Sequence, residues 1–406
     1  MRHIAIFVIL ILLVGFSACN KANDYQSASY KRFLNNPLRY EKFNEFYTKI
    51  KTTPITGIGF QEGVARRDPS SIIKVDGLYY VWYTRTPEGI PVVGRSKAND
   101  TLRAYPWDLA DIYYATSPDG YNWTEKGKAV GRGNKGDYDG RTVFTPDILV
   151  ANNKYYLFYQ AAGSLKEQGW SPKGSDGGDF VPNVLGLSWA DSPNGPWHKA
   201  ENPVLEVGDE QEWDSNVVHD PCLIAREGKF FLYYKSSPRV PWLNLKEGDF
   251  APEYGDIDRA IIGVAIAESP EGPYVKSKYN PVLLGGHECI MWPYKKGVCA
   301  MLSEGPEKNS IQFAEDGINF YPVAHGIEVP KAGGTFRAGN YTDTDEKDGQ
   351  GITWGLYQVI HNDWNYIKRF DCNLSLKHGE KKAIRYEKVR NWMDGKIPSD
   401  ALNSLD

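Results

Sequence analysis

From Asp68 to Leu376 the chain repeats one theme: a short strand, a tight turn, an aromatic strand, a long loop, then a further strand and turn. Each unit takes roughly fifty to eighty residues, the longer ones being extended by loop insertions. The first unit runs Ile72-Ile73-Lys74-Val75, then Asp76-Gly77, then Leu78-Tyr79-Tyr80-Val81-Trp82-Tyr83, and returns at Asp111-Ile112-Tyr113-Tyr114 before Pro118-Asp119-Gly120. The second repeats those parts around Asn152-Asn153 and Tyr155-Tyr156-Leu157-Phe158-Tyr159, and the third around Glu227-Gly228 and Phe230-Phe231-Leu232-Tyr233-Tyr234. A fourth starts at His287-Glu288-Cys289-Ile290, and a fifth, more degenerate, covers Thr335 to Leu376. Paired aromatic hairpins with no helical period between them predict an all-β fold, a five-bladed β-propeller rather than a solenoid. The 26 Tyr, 12 Trp, 40 Gly and 25 Pro suit this architecture, being the residues of short strands and tight turns with aromatic faces left over for a ligand.

The N-terminus has a different character. Arg2 and His3 precede an apolar run from Ala5 to Val14, too short to span a bilayer and of the length of a signal-peptide core. Phe16-Ser17-Ala18-Cys19 follows and resembles a bacterial lipobox, so residues 1–18 are expected to be removed and Cys19 to carry a lipid. An exported lipoprotein in the periplasm or on the outer membrane of a Gram-negative bacterium is implied. Residues 19–55 form a linker and a helical segment: Tyr30, Phe33, Leu34, Leu38, Tyr40, Phe43, Phe46, Tyr47 and Ile50 recur at helical spacing around Asn36-Pro37, which predicts two short helices. So small a pair cannot bury its apolar faces alone and must pack on the propeller or on a second subunit. The propeller is placed at 56–380 and a C-terminal tail at 381–406, charged and able to close the ring or reach a neighbouring subunit.

Composition excludes some functions. A formal net charge of -4 with no basic stripe leaves no source for counterion-release binding, so no nucleic-acid partner is expected. Cys222, Cys289, Cys299 and Cys372 show no CxxC spacing, which argues against zinc, and buried free thiols are the expectation.

In a propeller the inner strand of each blade begins at the axis, so the unit starts converge on one funnel. These are Arg67-Asp68-Pro69, Thr145-Pro146-Asp147, His219-Asp220-Pro221 and Gly286-His287-Glu288, and each contains a carboxylate. Asp before Pro also initiates strands for purely structural reasons, but four in register on a repeat with no need of acids mark a functional site. Two carboxyl-type groups suffice for glycoside hydrolysis, one protonating the leaving oxygen and one activating water or attacking directly, and a further acid can tune the donor. Asp68, Asp220 and Glu288 supply that number. His287 is a second candidate donor, since an imidazole among carboxylates tends to stay protonated.

The three carboxylates resemble the base, pKa modulator and acid of the five-bladed family 43 glycosidases. The finer pattern, with Arg67-Asp68-Pro69-Ser70, Thr145-Pro146-Asp147, His219-Asp220-Pro221 and His287-Glu288 followed by Met291-Trp292-Pro293, resembles glycoside hydrolase family 117. That family comprises α-1,3-(3,6-anhydro)-L-galactosidases, the neoagarobiose hydrolases of agar breakdown. The resemblance covers the mature chain and implies an inverting mechanism with Asp68 as general base, His287 as general acid with Glu288 as the alternative donor, and Asp220 in support. Inversion would set the base and acid about 6.5–9.5 Å apart. The resemblance also implies a homodimer that swaps its N-terminal helices. No cofactor is required, although propeller glycosidases can hold a divalent cation or a water on the axis, within reach of His219 or His287.

Supporting candidates for substrate binding are Arg67 and Asp147 within the motifs, Thr145 and His219 at unit starts, Gln160 after Tyr159, and Trp107, which could stack on a sugar face from a long blade-one insertion. Packing or backbone pairing would explain several of these equally well. The insertion from Gly163 to Pro182 reads as a rim loop that makes a pocket, suited to exo action. Three other readings share the fold: a propeller glycosidase acting on arabinan, xylan or another galactan; a non-catalytic glycan-binding surface lipoprotein; and a structural propeller.

Overall fold

The computed structural model describes residues 26–34, 46, 48–164, 183–239, 261–286, 290–337 and 349–375. The signal segment 1–18, Cys19, the tail 381–406 and the part of the rim insertion at 165–182 lie outside the described residues.

The described strands form a five-bladed β-propeller. Blade one comprises an inner strand in two pieces, Arg66–Arg67 and Ile73–Val75, followed by Leu78–Arg85, Asp111–Ser117 and Thr124–Val130. Blade two is Thr142–Ala151, Lys154–Ala162, Val184–Ala190 and His198–Lys199, and blade three is Val217–Arg226, Lys229–Ser237, Ile261–Ala267 and Val275–Lys276. Blade four runs Ile290–Lys295, Gly297–Leu302, Ser310–Ala314 and Tyr321–His325. Blade five contains Gly333–Thr335, Gly349–Val359 and Tyr366–Ser375.

The turns named in the sequence set the hairpin register. Asp76 and Gly77 both have positive φ (48° and 84°), as do Asn152 and Asn153 (51° and 58°) and Glu227 and Gly228 (51° and 76°). Two successive left-handed residues make the turn whose twist matches that of the flanking strands. Val75 is thereby paired with Leu78, Ala151 with Lys154 and Arg226 with Lys229.

The unbroken aromatic runs follow from burial on both faces. On Lys229–Ser237, Phe230, Leu232 and Tyr234 enter one apolar cluster with blade two, while Phe231 and Tyr233 enter another with blade four. Tyr156 and Phe158 likewise face blade three, and Leu157 and Tyr159 face blade one. Side chains alternate with period two, so a strand between two neighbours must be apolar at every position. Two further clusters seal the remaining interfaces, one around Trp292, Met301 and Phe370 between blades four and five, the other around Ile72, Tyr83, Trp354 and Leu356 between five and one. Each fully buried large side chain there contributes about 1.5–3 kcal/mol.

The ring closes in a way that corrects the boundary at residue 56. Lys51–Pro54 is the outer strand of blade five, antiparallel to Tyr366–Ser375 with Lys51 opposite Asp371 and Pro54 opposite Lys368. The N-terminal side thus supplies a closing strand, and the tail lies outside the described residues. The strand is four residues of Lys, Thr, Thr and Pro, too short to show a period against the apolar residues before it. One of the two expected helices is described, Ala28–Leu34, capped by Ser27, whose Oγ accepts from the Tyr30 amide at 3.1 Å. It lies against blades three and four, with Ser27 Oγ donating to the Pro281 carbonyl at 2.7 Å and Ser29 Oγ to Glu307 at 3.2 Å. Most of the second expected helix is outside the described residues, and Phe46 beyond it packs edge-on against Tyr294 with centroids 4.8 Å apart.

Candidate active site

The site is built from one local device used three times. In blade two, Phe144 faces Gln160 but Asp147 faces Phe158, so Thr145-Pro146 adds one residue to the inner strand. In blade three, His219 faces Lys235 and Cys222 faces Tyr233, with Asp220-Pro221 in the same place. In blade one, Arg67 faces Thr84 and the Ser70 amide donates to the Trp82 carbonyl at 2.8 Å, leaving Asp68-Pro69 between. Each bulge holds a residue in the left-handed region: Asp68 at φ 49°, Thr145 at 45° and Asp220 at 50°. Left-handed φ is uncommon for residues with a Cβ, and a β-branched threonine there is a true outlier. Such backbone costs on the order of 1–3 kcal/mol per residue and persists at functional sites, where a bulge re-aims a side chain.

This register corrects the sequence picture of a carboxylate at every unit start. Blade two presents Thr145, not Asp147, at the position of Asp68 and Asp220. Asp147 falls two residues later and is a strut: its Oδ1 accepts from the Ser71 amide of blade one at 2.9 Å, and its Oδ2 from the Leu223 amide of blade three at 2.8 Å. Arg337 reaches it from the blade-five side at 3.5 Å and donates also to the Leu223 carbonyl at 2.7 Å and the Met291 carbonyl at 3.4 Å. Residues of all five blades thus meet at Asp147 and Arg337. No group of three or more His, Cys, Asp or Glu among the described residues is arranged for a metal.

A pocket opens over this strut, lined by Asp68, Thr145, Asp147 and Asp220 with their prolines, by Cys222 and Met291, and by Gly333 and Gly334 of blade five. Its acids are not an uncompensated cluster. Asp68 Oδ2 accepts from Arg67 Nε at 2.7 Å, from Thr84 Oγ1 at 3.0 Å and from Thr145 Oγ1 at 3.3 Å. Asp220 is paired through Oδ2 with Lys235 Nζ, and its Oδ1 stands 3.5 Å from His219 Nδ1. One cation therefore stands beside each acid: Arg67 with Asp68, Arg337 with Asp147, and Lys235 with Asp220.

The remaining candidates divide. Trp107 packs on neighbours of the pocket residues: it stacks on Phe144, which precedes Thr145, with centroids 6.3 Å apart, and the Arg67 guanidinium lies 5.1 Å from its ring centre. Its loop is anchored by Asp108, fully buried, which accepts two bonds from Arg141 at 2.7 and 2.6 Å. Gln160 is buried opposite Phe144, and its Oε1 has no hydrogen-bond partner among the described residues. His219 is buried beside Asp220. His287, Glu288 and Cys289 lie outside the described residues, and Cys222, Cys299 and Cys372 are free thiols as expected.

Three residues escaped the sequence reading, namely Thr84, Lys235 and Arg337. The first two had a signal in the repeat. Trp82-Tyr83-Thr84, Phe158-Tyr159-Gln160 and Tyr233-Tyr234-Lys235 align, and the position after each aromatic pair faces the residue before the bulge. Arg337 lies within the degenerate fifth unit, just after the strand Gly333–Thr335, and carries no such mark.

Comparison with known proteins agrees with this architecture. The sequence profile of glycosyl hydrolases family 43 matches residues 63–221. Zg3597, a family 117 glycoside hydrolase of the marine bacterium Zobellia galactanivorans, is 37% identical over 82% of this chain and 93% of its own, with a TM-score of 0.69. BT0996, solved as an RGII complex, covers 82% of this chain and 93% of its own at 11% identity and a TM-score of 0.52, a likeness of fold alone. Curated proteins give no match. With that identity over nearly the full length of Zg3597, the chain belongs to glycoside hydrolase family 117.

Proposed function

We propose that this glycoside hydrolase is exo-acting and inverting, and that it releases 3,6-anhydro-L-galactose from the non-reducing end of neoagarooligosaccharides by cleaving their α-1,3 bond. The observation that carries the reading is the Asp68 carboxylate, fixed by Arg67, Thr84 and Thr145 in the pocket it shares with Asp220, in a chain of family 117. Asp68 then acts as general base. It takes a proton from the water whose oxygen bonds to the anomeric carbon, while the glycosidic C–O bond breaks and the leaving oxygen takes a proton from His287, with Glu288 as the alternative donor. Arg67 keeps Asp68 ionised for that task. Trp107 offers a ring to a sugar face, and Gln160 Oε1 an acceptor to a sugar hydroxyl. The lipid on Cys19 would tether the enzyme to a membrane.

Purified enzyme should release anhydrogalactose from neoagarobiose with inverted anomeric configuration, read by proton NMR at early times. Asp68→Asn should lose about 10²- to 10⁴-fold in kcat while retaining ligand affinity. Retention of configuration would refute inversion, and a glycan-binding protein would have no turnover to lose. The family 43 match over residues 63–221 favours one second reading, a glycosidase of arabinan, xylan or another galactan, which turnover of aryl pentosides alone would establish.

A further inference from the structure

We infer that Lys235 is a positioning residue, holding Asp220 in the pocket as a fixed, ionised hydrogen-bond acceptor. Thr84, Gln160 and Lys235 occupy the same place on the second strands of blades one to three, each opposite the residue that precedes the bulge. In blade one that place carries a hydroxyl, which donates to Asp68. In blade three it carries an ammonium, which pairs with Asp220.

The two acids also differ in where their cation stands. The Arg67 guanidinium beside Asp68 lies against the Trp107 ring. Lys235 is 1% exposed, on a strand buried along almost its whole length. The Lys235 ammonium and the His219 imidazole stand directly against the Asp220 carboxylate, and Asp68, Asp147 and Arg337 are the next ionisable groups around the pocket among the described residues. A carboxylate against a buried ammonium stays ionised and serves poorly as an acid. Asp220 is thereby reserved to accept a hydrogen bond from substrate or from the proton donor, and donation falls to another group.

The inference rests on the proposed function only in taking Asp220 as part of the catalytic pocket, and its first test needs no substrate. Protein labelled with ¹³C at the aspartate carboxyl carbons is titrated as wild type, as Asp220→Asn to assign the signal, and as Lys235→Met. Asp220 should titrate about one pH unit or more higher in Lys235→Met; the same titration in both proteins overturns the inference. The second test uses whichever glycoside the wild type cleaves. Asp220→Asn/Lys235→Met should match Asp220→Asn in kcat/KM within about twofold, whereas a further tenfold loss would show that Lys235 acts independently. Should Lys235→Met alone fail to fold, folding of the double variant shows that the ammonium answers the Asp220 charge. Failure of the double variant too overturns the inference.

Discussion

Thr145 and Asp68 sit at the same place in successive blades, both at left-handed φ, and are joined by a 3.3 Å hydrogen bond from the threonine hydroxyl to Asp68 Oδ2. The strained residue of blade two therefore serves the strained acid of blade one. Thr84 locks the pair: its hydroxyl donates to the same carboxylate oxygen at 3.0 Å and accepts from the Thr145 amide at 2.8 Å. The carboxylate is held by groups from two blades, so its orientation depends on how those blades meet.

Thr84→Val keeps the shape of the side chain and removes the hydroxyl. A hydrogen bond to a charged group contributes about 1.5–3 kcal/mol, and the Thr145 amide loses its acceptor as well. The expected outcome is a loss of about ten- to a hundredfold in kcat with KM little changed, measured on neoagarobiose, and recovery in Thr84→Ser. A parallel rise in KM would place Thr84 in substrate binding instead.

Much of the fold was legible because the repeat writes it twice, once as aromatic pairs and once as turns. The Asp76-Gly77 and Glu227-Gly228 turns fixed hairpin register locally, and the apolar runs at Tyr80–Tyr83 and Phe230–Tyr234 are what burial on both faces demands. That Asp68 and Asp220 occupy matched positions was legible for the same reason, as a feature of the repeat. That Asp147 stands two residues beyond the position of Asp68 and Asp220 was not legible, because a one-residue bulge shifts the register and leaves no mark in a hydrophobic pattern. Arg337 and the closing strand Lys51–Pro54 depend on contacts between distant segments, which no local period encodes.

The strut predicts a stability effect separate from catalysis. Asp147→Ala leaves the amides of Ser71 and Leu223 and the Arg337 guanidinium without this carboxylate, all close to the axis. Breaking a buried pair costs about 3–5 kcal/mol. Equilibrium unfolding in urea should show a midpoint lowered accordingly. A midpoint within experimental error of wild type would mean that the blades hold together without the strut.

Cys222 lines the pocket yet should be inert. Burial pushes its thiol up to about 12, with the nearby Asp147 charge adding to the effect and Arg337, 3.4 Å away, opposing it. Because the folded value is raised, the thiol stays protonated at pH 8 and the thiolate is scarce until the pH nears that value. Cys299 and Cys372 are raised by burial as well. Alkylation at pH 8 followed by peptide mass analysis should label these three cysteines only after unfolding. Rapid labelling of Cys222 in the folded enzyme would contradict a thiol kept protonated in the pocket.

The helix Ala28–Leu34 gives the last prediction, which concerns assembly. It is seven residues long and is held to blades three and four by polar bonds from Ser27, Ala28 and Ser29. A helix this short is not stable alone, so it needs a propeller to dock on, and its docking site can accept the same helix from a second copy. We expect the mature chain to be a dimer that exchanges this segment. Shortening the chain to begin at Ile50 removes the helix but keeps Lys51–Pro54, the outer strand of blade five. Light scattering should then give the mass of one folded chain instead of two. A shortened protein that remains dimeric would place the interface on the propeller itself, and a full-length chain that is already monomeric would assign the helix to its own propeller.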